Sequence, residues 1–127
     1  MLYYNEQIPR YLCRVEITGS FYTDDIANGA KSLHLEEKVF FEREEDNVHD
    51  INAVAVFNES GVKLGYVSRK ENAAVASIMN SGKAEIFGII SYMNVKRSSV
   101  GLLADLFYVC NKDDEYIIRD IILQYLR

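Results

Sequence analysis

The spacing of hydrophobic positions changes several times along this chain, and each change marks an element. Residues 11–22, "YLCRVEITGSFY", alternate with Leu12, Cys13, Val15, Ile17 and Phe21 mostly on one face, which predicts a strand. Turn formers in "DDIANGA" interrupt it, and "LHLEEKVFFERE" (33–44) predicts a second strand through its β-forming centre. A third strand is predicted at "NAVAVFN" (52–58), joined through the "NESG" turn to "VKLGYV" (62–67) as a hairpin. From Ser68 the spacing becomes helical. Ala74, Val75, Ile78 and Met79 recur on one side, Ser68 and Glu71 fit a capping box, and Gly82 suits a left-handed C-terminal cap. "AEIFGIISYM" (84–93) returns to strand, with Gly88 as a bulge or a close backbone approach. "KRSSVG" (96–101) reads as a loop and "LLADLFYVC" (102–110) as the last strand. "KDDEYIIRDIILQYLR" predicts a closing helix, with Ile117, Ile118, Ile121, Ile122 and Tyr125 in one stripe that either covers a core or docks on a partner. No repeat or boundary appears. The pattern therefore predicts one domain over residues 1–127: a mostly β fold of five or six strands with two α-helices, closing into a small, partly closed barrel.

Composition agrees with a packed domain. The 127 residues are 49% hydrophobic and 26% charged, with one proline and seven glycines, which suits a single core. No apolar run approaches the length of a membrane span, and the opening "MLYYNEQIPRYL" lacks the basic-then-apolar form of a signal peptide. Cys13 and Cys110 fall in apolar runs and form no C-x-x-C unit, so the expectation is buried reduced thiols in a cytoplasmic protein, with a disulfide between them left open.

Charge changes the picture. A net −5 argues against a broad nucleic-acid surface, which depends on neutralising many phosphates. Yet residues 1–59 carry −7 and residues 60–101 carry +4, the latter from Lys63, Arg69, Lys70, Lys83, Lys96 and Arg97 against two acids. A locally basic middle is compatible with a small, directed anion site.

The densest chemistry lies in "EREEDNVHDIN", residues 42–52, with five carboxylates, two asparagines and a histidine. Read as an EF-hand loop from Asp46, it would need glycine where Ile51 stands and glutamate where Phe57 stands. The two histidines and two cysteines have no zinc-ligand spacing, and no G-x-S-x-G elbow occurs. A lone Mg2+ on carboxylates stays open. The plain structural reading is a turn, because Asn47, Asp50 and Asn52 are residues whose side chains bond nearby backbone.

A wider pattern runs through these residues. Arg43-Glu44, Asn47, His49-Asp50 and Asn52-Ala53 precede the β run Val54 to Val56, then Gly65-Tyr66 and an alanine-rich helix from Ala73 to Met79. "VEITGSFY" lies upstream and "AEIFGII" downstream. Together they resemble the HIRAN domain family over residues 13–93, with residues 94–127 adding the last strand and C-terminal helix. The resemblance implies an OB-like β-barrel and a non-enzymatic module, without cofactor or metal, that captures 3′-OH ends of single-stranded DNA in DNA repair or processing. Family members stand at the front of SWI/SNF-type DNA translocases, while short bacterial versions stand alone, and this chain looks like one of those.

Carried over by position, the resemblance implies that Phe21 stacks a base, with Tyr22 beside it. His49 and Asp50 would handle the terminal nucleotide and its 3′-hydroxyl, although the family carries a tyrosine where His49 stands. Tyr66 follows the hairpin glycine, Arg69 and Lys70 would lie near the phosphates, and Arg43, Asn47 and Asn52 would support the turn. In the loop 94–101 the family carries an aromatic, and Lys96 and Arg97 offer charge instead. The chemistry is coherent: a carboxylate accepts a bond from a sugar hydroxyl and repels an internal phosphodiester, while each stacked base contributes about 1–3 kcal/mol without demanding a sequence. Cations at a helix N-terminus oppose its dipole unless a phosphate docks there. Two rival readings remain. One is a protein-interaction or accessory module, docking on a protein partner or a second copy, that keeps the barrel without DNA. The other is a metal-dependent hydrolase using Glu44, Glu45, Asp46 and Asp50.

Overall fold

The computed structural model describes residues 8–19, 33–95 and 100–126. Among them, six strands form: β1 (Arg10–Thr18), β2 (Lys38–Arg43), β3 (Val54–Phe57), β4 (Lys63–Val67), β5 (Ala84–Val95) and β6 (Val100–Cys110). They close into a barrel in the order β1-β4-β3-β2-β5-β6, and every neighbouring pair is antiparallel. Helix α1 (Asn72–Ser81) follows β4, and α2 (Glu115–Tyr125) follows β6 through a 3-10 turn, Lys112–Asp114. The mostly β barrel with two helices is therefore the fold, and its closure is complete rather than partial.

Alternation explains the strands. On β1 and β6 the inward Val15, Ile17, Leu102, Ala104 and Leu106 are buried, while the outward Arg14 and Asp105 sit opposite each other and pair at 2.9 Å. Strand β3 departs from alternation: Val54, Ala55 and Val56 are all buried, and α1 packs against this strand. Val75 and Ile78 of α1 and Ile118 of α2 complete a core with the inward strand residues.

The hairpin of β3 and β4 turns at Asn58, whose buried side-chain Oδ1 accepts the amides of Ser60 and Val62 at 3.0 and 2.9 Å, with Gly61 at φ 82°. Helix α1 ends as expected, with Gly82 left-handed at φ 67° and its N–H bonded to the Met79 carbonyl.

Four expectations are corrected. The helix does not begin at Ser68 with a capping box, because the Ser68 amide is already bonded to the Glu16 carbonyl of β1 at 2.8 Å, and the Glu71 carboxylate accepts the Glu16 amide instead. Arg69 and Lys70 thus occupy a turn ahead of α1 rather than its first turn. Strand pairing between β5 and β6 runs out to Val95 opposite Val100, so Val100 and Gly101 belong to β6 rather than to the loop. Gly88 is a site of close side-chain approach: an added methyl would stand 3.0 Å from both the Phe41 ring and Val39, while the β5 bulge falls between Ile90 and Tyr92. Finally, Leu126 joins Ile121 and Ile122 against the core where Tyr125 had been expected, and Tyr125 is exposed.

Both cysteines are free thiols. Burial pushes Cys13 up to about 11, and burial also raises Cys110. No helix among the described residues is long and apolar enough to cross a membrane.

Candidate functional site

One rim of the barrel gathers the ends of four strands. Arg43 ends β2 opposite Val54, the start of β3; Ala55 pairs with Tyr66 of β4; and Tyr66 pairs with Thr18, the end of β1. Two connections rise from this rim: the acidic loop, residues 44–53, and the turn 68–71 that leads into α1.

The loop is closed by its own polar groups. Its ends meet through the Glu44 amide and the Ala53 carbonyl at 3.1 Å. Asn47 Oδ1 accepts the amides of His49 and Asp50 at 2.9 and 3.1 Å, and Asp50 Oδ1 accepts the amide of Asn52 at 2.9 Å. Asn52 therefore contributes its backbone to the turn. Arg43 spreads its planar fork over three acceptors: Nη2 donates to the Ile51 carbonyl at 2.9 Å, Nη1 to the Ala53 carbonyl, and Nε to Asn80 Oδ1 of α1 at 3.0 Å. A single ammonium cannot reach all three in this geometry. Arg43→Lys is expected to cost about 2 kcal/mol in urea unfolding and to speed hydrogen exchange at the His49 and Asp50 amides. Unchanged exchange there would show that the loop stands without the fork.

His49, Asp50 and Arg69 come together. Asp50 Oδ2 accepts the side-chain amide of the buried Asn72 at 2.7 Å and lies 3.5 Å from Arg69 Nε, while Arg69 Nη2 donates to the His49 carbonyl at 3.2 Å. Asp50 thus faces three donors, and a carboxylate offers about four lone-pair positions. Its side chain is 20% exposed. Arg69 is 75% exposed and projects outward, and the imidazole of His49 and the side chain of Lys70 are exposed beside it.

Tyr66 reaches the same loop by another route. Its hydroxyl donates to Glu44 Oε1 at 2.9 Å and accepts from Lys63 Nζ at 2.6 Å, and Lys63 also donates to Glu44 Oε2 at 2.7 Å. Asn47 Nδ2 adds a third donor to Glu44 at 3.2 Å. Burial raises the Glu44 carboxyl, but the bonds from Lys63, Tyr66 and Asn47 outweigh it and leave it below its usual value. Burial lowers Lys63, and its bonds to Glu44 and Tyr66 outweigh that and leave it raised. Glu44 contributes stability that is lost as pH falls through its depressed folded value, and Lys63 contributes stability that is lost as pH rises through its elevated one. The pair holds between those limits, across neutrality.

The sequence shows Lys63 only as one charge of the basic middle and gives no sign of this use of Glu44. Positions 63 and 66 of a regular strand face opposite sides. Here a register shift between Val56 and Phe57, together with Gly65 at φ 149°, turns both outward. The glycine between them was the one available signal. Phe21, Tyr22, Lys96 and Arg97 lie outside the described residues. Among the described residues, no group of three His, Cys, Asp or Glu side chains is placed to hold a metal ion.

Comparison with known proteins bears on this rim. A family model described as the HIRAN domain matches residues 11–106. Helicase-like transcription factor of Mus musculus is 32% identical over 79 residues, which is 62% of this chain and 7% of the mouse protein, so the chain spans only a small part of that relative. A crystal structure of a protein from Lactobacillus plantarum superposes with a TM-score of 0.75 at 28% identity, over 83% of this chain and 99% of that one. The crystal structure of the HIRAN domain of human HLTF gives 0.76 at 18% identity, over 94% and 93% of the two chains. The NMR structure of the HLTF HIRAN domain in its DNA-bound conformation gives 0.67 at 20%, over 92% and 91%.

Proposed function

Because the chain belongs to the HIRAN domain family, we propose that it is a non-enzymatic module that binds single-stranded DNA at 3′-OH ends, through the rim that carries His49, Asp50, Tyr66 and Arg69. The observation that carries this reading is the Asp50 carboxylate, held by Asn52, Asn72 and Arg69 at the rim and still 20% exposed. A terminal sugar hydroxyl is a neutral donor that fits the remaining lone pair. A 3′-phosphate, or the next phosphodiester of an uninterrupted strand, brings negative charge to the same place. Arg69 projects beside that carboxylate and Lys70 follows it, so the penultimate phosphates meet cations while the end meets an acceptor. Phe21 and Tyr22 supply the flat faces for the terminal bases in this reading, and the setting it fits is the repair or processing of DNA ends. A domain of the same family has been solved in a DNA-bound conformation, in HLTF.

Fluorescence anisotropy with matched oligonucleotides tests the proposal. The 3′-OH strand is expected to bind about ten-fold more tightly than its 3′-phosphate counterpart, a difference of about 1.4 kcal/mol. Two phosphate contacts, from Arg69 and Lys70, give an expected salt slope of about −1.4 in log Kobs against log salt. Asp50→Ala should erase the preference between ends. Equal affinity of the wild-type protein for both strands would remove the end-capture reading.

A further inference from the structure

The Glu44 carboxylate joins parts of the rim that the chain keeps apart. It accepts Tyr66 and Lys63 from β4 and Asn47 from the loop, and the other end of Asn47 holds the amides of His49 and Asp50. An unbroken series of bonds thus runs from the Tyr66 phenol through Glu44 and Asn47 to the peptide that carries the Asp50 carboxylate. Lys63 adds a second constraint. Its Nζ bonds the phenol oxygen at 2.6 Å while lying 4.4 Å from the centroid of the Tyr66 ring, so the ammonium sits beside that oxygen, past the ring edge, and fixes the outer end of the side chain.

We propose that Glu44 and Lys63 are positioning residues that brace the Tyr66 side chain at a fixed distance from the Asp50 carboxylate, so that one terminal nucleotide meets both. The inference rests on the end-binding reading and deepens it. Selectivity for an end demands that a base on the ring and a hydroxyl on Asp50 be met by the same nucleotide, and this needs the two groups to keep their separation. Two flexible supports would let an internal nucleotide satisfy one without the other. The brace is also charge-neutral: Lys63 is matched by Glu44, so it adds no general attraction for phosphate that would reward strand interiors. Removing Glu44 alone both frees the ring and exposes an unmatched ammonium, and the two effects push the same way, toward binding without discrimination.

The test combines ring dynamics with binding. In the free wild-type protein, carbon-13 relaxation of the Tyr66 ring is expected to report a rigid side chain. Glu44→Ala should loosen it, and Glu44→Gln, whose amide oxygen still accepts from Tyr66 and Asn47, should restore most of the rigidity. In anisotropy, Glu44→Ala should reduce the 3′-OH over 3′-phosphate preference about five-fold, and Glu44→Gln about two- to three-fold, because its oxygen still holds the ring while Lys63 loses its counter-charge. With Tyr66 already replaced by Phe, Glu44→Ala should add less than a two-fold further loss. A ring that stays rigid in Glu44→Ala, or losses that simply multiply in the double variant, would overturn the brace while leaving end binding intact. A wild-type protein blind to the end group would instead overturn the end-binding reading, and with it the purpose given to the brace, even if the ring loosens as expected.

Discussion

Gly65→Ala destabilises the barrel by about 3 kcal/mol or more, the sum expected for overpacking and a strained backbone. Gly65 holds φ at 149°, in territory that side chains rarely enter, and an added Cβ would collide with the Thr18 carbonyl oxygen across the β1–β4 pair. The Thr18 carbonyl carbon and the Ile17 methyl stand 3.2 and 3.3 Å from the same point, so the obstruction is backbone and core together, with no flexible tip to swing aside. The strand must move, and Tyr66, the next residue, moves with it. Urea unfolding should show a lower midpoint with an unchanged slope, and DNA affinity should fall alongside. Gly61→Ala and Gly82→Ala serve as internal controls. Both glycines have positive φ, but nothing stands within 4 Å of the added atom, so each should cost only the local penalty of about 1–2 kcal/mol. Equal losses at all three positions would mean that the contact with Thr18 is unimportant.

Ile118→Ala is expected to cost about 3–4 kcal/mol, the range for emptying a fully buried isoleucine site. Ile118 is wholly buried, with Ile121, Ile122 and Leu126 packed around the same core, and α2 lies against α1. The residue therefore decides between the two uses open to the helix stripe. A stripe reserved for a partner would tolerate alanine in the isolated protein. A stripe that lids the barrel would not, and native-state hydrogen exchange should show the amides of α2 opening first. An exposed control on the same helix, Leu123→Ala, should stay within about 0.5 kcal/mol.

Much of the architecture was legible because single residues carried local rules. Asn58 and Gly61 specified the hairpin, Gly82 the end of α1, and alternating Val15, Ile17, Leu102 and Leu106 the two long partners of the sheet. What escaped depends on partners far along the chain. Ser68 and Glu71 have the form of a capping box, but both are claimed by Glu16, about 50 residues earlier, and no local pattern reports that. Tyr125 and Leu126 compete for one stripe position, and packing rather than period selects Leu126. At the rim the same division holds. The types and spacing of Arg43, Asn47, His49 and Asp50 were visible as a pattern, whereas the alliance of Glu44 with Lys63 and Tyr66 exists only because a bulge aligns two positions that regular pleating would separate.

The β1–β4 junction carries a further consequence. Only Ile17 with Val67 and Thr18 with Tyr66 pair along it among the described residues, whereas β1 follows β6 over most of its length. The β2–β5 seam is as short in paired residues, but β1–β4 is the clasp that lies directly beneath the mouth that would receive a strand. A ligand gripping Tyr66 and the neighbouring turn would therefore also fasten the clasp, so occupancy and resistance to unravelling should rise together.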